Sequence, residues 1–375
     1  MNMKIKIALL IFLFINISAQ TKKTVPQSKV PFNPEKYICY RTNQPIIIDG
    51  KFDEEDWDKA EWTKDFVDIE GDLKPKPYYN TRVKMLWDDE NFYFAALIED
   101  PQIWATLRQR DTVIFYDNDF EIFIDPDGDT HKYYEFEINA FNTQWDLLIA
   151  KPYRNDENVA LNGWNIAGLK TAVNINGTIN NSNDKDKYWT VEIAYPWKAL
   201  GEMTSMKFPP KNKDQWRVNF SRVEWDTEII DGKYKKKTNP KTGKTLPENN
   251  WVWSPQGIIN MHAPETWGFV QFSENKVGTE IAKFKNNDEE EAKWALRKVY
   301  YAEHDYYLNH GKFTNDFKLL NLDEVILPEK FIWPPEIEVT STQFEAIIRI
   351  KNDNRYFIIY QDGLVKKLPV ERDIK

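Results

Sequence analysis

The stretch from Asn118 to Asn139 constrains the fold more than any other part of the chain. Read two residues at a time, Phe120, Ile122 and Ile124 fall on one side, and Tyr134, Phe136 and Ile138 repeat the pattern after a turn. Period two is the mark of β-strands, whose successive side chains face opposite ways. Glu121, Phe123 and Asp125, then Tyr133, Glu135, Glu137 and Asn139, occupy the other side. Asp125-Pro126-Asp127-Gly128-Asp129 supplies the turn, so the segment predicts a hairpin with one buried and one solvated face. Carboxylates and an amide at alternating positions suit sugar hydroxyls, and equally suit plain hydration.

The same alternation continues along much of the chain. Arg82–Trp87 and Phe92–Ile98 form a second hairpin around Asp88-Asp89-Glu90-Asn91, and strands are expected at 143–150, 188–195, 216–223, 251–253 and 268–272. Pro196 starts one helical turn through Leu200. Short strands with regular turns predict a mainly β fold, an antiparallel, jelly-roll-like β-sandwich over residues 37–275. Asp231–Asn250, with three consecutive lysines and two prolines, lacks periodicity and reads as a long loop. From about residue 286 the pattern changes. A helix from Glu289 to about Asn309 carries Trp294, Leu296, Val299, Tyr300 and Tyr307 as an apolar stripe, and strands at 336–350 and 355–360 follow. Residues 286–375 are therefore expected to be a small C-terminal α+β unit with its own core, so that a chain ending near Lys285 stays folded.

The first residues read as an export signal. Lys4 and Lys6 precede an apolar run from Ile7 to Ile17, and Ser18-Ala19 offers a small-residue cleavage site before a polar linker at 20–36. The run is short for a membrane anchor, and no span is expected in the mature chain. A periplasmic or secreted protein follows. With Cys39 alone, its stability must come from packing rather than disulfides. Losing residues 1–19 removes two lysines and no acids, moving the net charge from −9 to −11. An acidic chain without a basic stripe argues against nucleic acid and fits a neutral glycan.

Five segments in this order resemble the carbohydrate-binding module family 9 group, whose fold neighbours include the DOMON-type sandwiches. They are Ile46–Trp57, Val83–Tyr93, Phe120–Asp125, Tyr188–Lys198 and Trp267–Phe272, so the resemblance covers roughly Tyr37 to Ser273. It implies a non-catalytic module that binds polysaccharide or oligosaccharide ends in carbohydrate catabolism, serves glycoside hydrolases as an accessory, and often holds structural calcium. It further implies a ligand clamped between two aromatic rings and hydrogen-bonded by charged and amide groups. Glu121 matches the family's glutamate. The first clamp ring falls near Phe115 or Tyr116, the family's arginine is replaced by Glu137, and the second clamp falls near Met261. The C-terminal unit faintly resembles pilin-type proteins.

The candidate ligand-binding set is Trp104, Arg108, Arg110, Phe115, Tyr116, Asn118, Glu121, Glu137, Asn139, Trp145, Arg222, Trp225, Asn260 and His262. Arginines supply forked donors to hydroxyls, and indole rings supply stacking plates. Asp125, Asp127 and Asp129 alternate around a glycine, a spacing that suits Ca2+ or a plain Asp-Gly turn. Two alternative functions stay open. Glu121 and Glu137 could be the acid and base of a glycoside hydrolase. Met261 and His262 raise a haem-binding electron-transfer sandwich, although neighbours on a strand point apart.

Overall fold

The computed structural model describes residues 24–155, 158–204, 206–322 and 325–370. The expected leader at 1–19 lies outside the described residues.

The motif hairpin forms as its pattern requires. Strands Asp119–Asp125 and Tyr133–Asn139 pair antiparallel, with Glu121 opposite Glu137 and Ile122 opposite Phe136. They belong to one long sheet that curls into two layers. Its path runs through 160–161, 144–149, 133–139, 119–125, 215–224, 268–276, 36–41, 81–87, 91–99, 188–196 and 170–176. The pairing is antiparallel except where Lys36–Arg41 runs parallel to both Gly268–Lys276 and Thr81–Trp87. The alternating apolar residues of both layers meet between them. Phe120, Ile122, Ile124, Phe136 and Phe220 face Val83, Met85, Phe94, Val191 and Ile193 in one buried core. Trp87, Trp197, Trp216 and Phe272 close one end with mutual edge-on contacts at 4.9–6.3 Å.

Two local expectations are corrected. Residues 231–250 do not form a featureless loop. Thr227–Ile230 and Lys233–Lys236 make a hairpin about Asp231-Gly232, whose φ values of +52° and +71° match the tight turn of such hairpins. The strand expected over 336–350 is itself a hairpin, Glu336–Val339 against Phe344–Arg349, closed by Thr340 N–H donating to the Gln343 carbonyl.

The C-terminal unit packs helix Asp288–His310 on a four-stranded sheet. Asn287 caps the helix by accepting from Glu289 N–H at 3.1 Å, and Gly311 ends it at φ +72°. Ala295, Leu296, Val299 and Tyr300 meet Ala346, Ile348, Phe357 and Ile359 in a second core. The unit does not build this core from its own residues alone. Val25 of the leading arm enters it, and Phe32 stacks on Trp294 with centroids 4.2 Å apart. The unit also grips the sandwich through buried polar groups. Arg154 pairs with Glu265 at 2.6 and 3.1 Å, Tyr301 donates to the same carboxylate at 2.5 Å, and Arg217 donates to Glu290 at 2.9 Å.

Candidate functional site

Because the strand repeat is two, Asp119 and Glu121 return to one face, and the register sets Glu137 opposite Glu121 on the neighbouring strand. Oxygens of the three carboxylates lie within 4.8 Å of one another. Glu135 continues the row. This face is not solvated as expected: Asp119, Glu121, Glu135 and Glu137 are only 0, 4, 5 and 1% exposed. The cover comes from distant segments. Trp267 lies 5.5 Å from Phe123 and 5.2 Å from Tyr133, and Phe115 N–H donates to Glu137 Oε2 at 3.1 Å. Burial, then the charges of neighbouring carboxylates, drives Asp119 and Glu137 far above the usual carboxylate range; burial pushes Glu121 up to about 7.

Aromatic side chains stand at both ends of this carboxylate floor. At one end Trp104, Val223, Trp225 and Phe115 cluster. Asn118 Oδ1 accepts Trp225 N–H and the Phe115 carbonyl accepts its indole N–H, each at 2.8 Å. Trp104 and Trp225 do not offer the free stacking faces expected of them. They are 6 and 9% exposed, and Lys236 Nζ sits 3.3 Å over the Trp225 ring. Tyr116, its ring 5.1 Å from Phe115, is instead 55% exposed. At the other end, half-buried Trp145 is the cross-strand neighbour of Glu137, and Met261 packs with it against Phe123, Tyr133 and Trp267. His262 meets the Tyr133 hydroxyl at 3.0 Å and Tyr153 ring to ring at 4.4 Å, and burial lowers its pKa to about 3. With that ring packed among aromatics and one nitrogen engaged, the arrangement gives the haem reading no support.

Phe115, Tyr116, Glu121, Glu137, Trp145 and His262 therefore come together, with Trp104 and Trp225 behind them. Other candidates do not. Arg110 reaches Asp146 and Gln144, and Asp146 faces the opposite side of its strand from Trp145. Arg108 lies over Phe141, 3.6 Å away. Arg222 shares Phe120's side of the sheet, where Glu224, Thr81 and the Glu99 carbonyl hold it. Asn118 braces Glu224 and Trp225. Asn139 is consumed by the turn, donating to the Leu107 carbonyl and Asp117 and accepting from Phe141 and Thr143 N–H. Asn260 accepts from His262 N–H and so shapes its loop. Asp119 and Glu135 were absent from the candidate set although their period-two positions placed them on the face. Tyr153 and Trp267, the latter opening the last of the five segments, reach it from outside the hairpin, and no local pattern places them there.

Asp125, Asp127 and Asp129 also gather oxygens within 4.8 Å. Asp125 accepts from Gly128 and Thr130 N–H at 3.0 and 2.9 Å, and Asp127 accepts from the Thr204 hydroxyl at 3.0 Å. Burial, followed by the charge of Asp127, pushes Asp129 up to about 7. Lys293 of the C-terminal helix lies 3.3 Å from the Gly128 carbonyl.

Residues 48–226 match the family model described as carbohydrate family 9 binding domain-like. Over this stretch, just under half of the chain, the sequence resembles a carbohydrate-binding domain of this family. It is also similar to endo-1,4-beta-xylanase A of Thermotoga neapolitana, 27% identical over 154 residues, which is 41% of this chain and only 12% of that enzyme. Among solved structures it is similar to a carbohydrate binding module family 9 from Caldicellulosiruptor kristjanssonii in complex with cellotriose. That likeness has 15% identity, covers 66% of this chain and 99% of the other, and has a TM-score of 0.41. The glucose complex of the module from that organism gives 15% identity, 65% and 100% coverage and a TM-score of 0.41.

Proposed function

We propose that the chain is a non-catalytic carbohydrate-binding protein of carbohydrate catabolism, exported to the periplasm or beyond, that assists glycoside hydrolases on plant polysaccharide. One observation supports this reading most. Tyr116 and Trp145, the accessible rings of the site, adjoin the Glu121–Glu137 pair from two sides, through the Phe115–Glu137 hydrogen bond and through cross-strand pairing. Rings beside buried acceptors are what a sugar needs, since its faces are apolar and its rim is hydroxylated. Replacing Tyr116 and Trp145 together by alanine is expected to weaken retention at least about tenfold, a loss of ~1.4 kcal/mol. The melting temperature should fall only by the packing that Trp145 gives up, and folding should stay cooperative, because Tyr116 is exposed and Trp145 is half-buried. Affinity electrophoresis in gels containing xylan and other plant polysaccharides reads this directly, and undiminished retention would move the site elsewhere. Release of reducing sugar by the pure protein would replace the binding reading with the hydrolase one, to which the closeness of Glu121 and Glu137 lends itself.

The reading includes calcium at Asp125, Asp127 and Asp129, whose oxygens are spaced for one ion and crowd their negative charge into a turn. An ion bound only by the folded state stabilises it by about 2.7 kcal/mol at one hundred times its Kd. Chelator should lower the melting temperature by a step that Asp127→Ala reduces. A chelator step unchanged by this substitution would leave the turn to Lys293 alone.

A further inference from the structure

We propose that Asp119, Glu121 and Glu137 form a second, separate site for one divalent cation of calcium's size on the polar face of the sheet. The register alone sets Glu121 against Glu137, and like charges directly opposite each other destabilise a strand pair. Here the cost is raised by burial, since Asp119, Glu121 and Glu137 are 0, 4 and 1% exposed. Main-chain N–H groups of Phe115 and Val223 reach one oxygen each of Glu137 and Asp119, but Asp119 Oδ2 and Glu121 Oε2 are buried with no hydrogen-bond partner among the described residues. Glu135 Oε2, next along the row, is in the same condition. Among the described residues no arginine or lysine pairs with any of the four; Arg222 and Arg110, on the other side of the sheet, are committed to Glu224 and Asp146.

The geometry points to what is missing. Calcium takes oxygens at about 2.3–2.6 Å, so its ligands lie no more than about 5 Å apart. The three carboxylates offer oxygens within 4.8 Å of one another. Three hard oxygen ligands in a dry setting suit a divalent ion in size and in donor type. The Asp125–Asp129 turn differs, because both oxygens of Asp125 accept main-chain N–H groups and Lys293 stands beside it.

The two sites are separated by working with the full chain in an Asp127→Asn background, where the Thr204 hydroxyl keeps an acceptor. After chelator treatment, calorimetric titration with calcium chloride should show one site per chain. Adding Glu121→Gln should weaken it at least a hundredfold, and Glu137→Gln should do the same. Both substitutions keep the side-chain shape and bury no charge, so both variants should melt no lower than their background without calcium. Calcium should then raise the melting temperature of the background and leave the glutamine variants unmoved. Absence of calcium, magnesium and manganese binding in the Asp127→Asn protein would overturn the proposal. So would calcium binding that ignores both glutamine substitutions, or stabilisation through Glu121 by glucosamine's ammonium group where calcium gives none.

Discussion

Replacing Arg154 by alanine is expected to destabilise the protein by about 3–5 kcal/mol, the usual penalty for stranding one partner of a buried ion pair. The Arg154 and Glu265 side chains are 3 and 5% exposed, and their forked contact is completed by the Tyr301 hydroxyl. Burial on its own would raise the Glu265 pKa, but the charges of Arg154 and Arg297 outweigh it and hold the carboxyl at about 2. A carboxyl depressed in the folded state adds stability above its unfolded pKa of about 4.5, and that stability is lost as pH falls towards 2. In Arg154→Ala the main depressing charge is gone and burial dominates, so the variant loses stability as pH rises. The gap between wild type and variant should thus be large at pH 7 and shrink towards pH 3. Denaturant midpoints at the two pH values measure it. An equal gap at both would mean that lost packing, not the stranded charge, sets the cost.

A chain ending at Lys285 is expected to lose cooperative folding and to aggregate. Deletion removes Trp294 from Phe32, Tyr301 from Glu265 and Glu290 from Arg217, whose side chain is only 7% exposed. It also strips the cover from the acidic turn, where Arg297 donates to Thr130 at 3.2 Å and Val365 N–H to the Asp129 carbonyl at 3.2 Å. The newly bared surface is apolar in one part and holds unpaired charge in another, and both lower stability. Size-exclusion chromatography, hydrophobic-dye binding and a thermal melt are the measurements. A monodisperse, cooperatively melting product would show that the interface is an attachment and not a requirement.

The exposed hairpin tip bears on the site in a way its sequence did not announce. Lys236 belongs to a run of three lysines that reads as solvated, yet its amine lies on the Trp225 ring while burial lowers its pKa. The Asp-Gly pair at 231–232 was the available signal for that hairpin. Its landing place on Trp225 was not signalled, because the contact joins elements with no shared local pattern.

Sequence by itself determined the β-architecture, its hairpins and the side of each strand that meets the core. Those properties follow from a two-residue repeat and from turn chemistry, both local to the chain. It also placed Glu121 and Glu137 on one face, since parity along a strand does not depend on what packs above it. Tertiary structure alone decided that this face is dry. Alternation sorts residues between two sides of a sheet, but it cannot say whether the polar side meets water or the loops carrying Phe115 and Trp267. It likewise decided that Arg110 and Arg222 turn away to Asp146 and Glu224, and that the leading arm and the C-terminal helix complete each other through Phe32 and Trp294. Contacts between segments far apart in the chain depend on how the folded layers come together, and no short-range pattern encodes that.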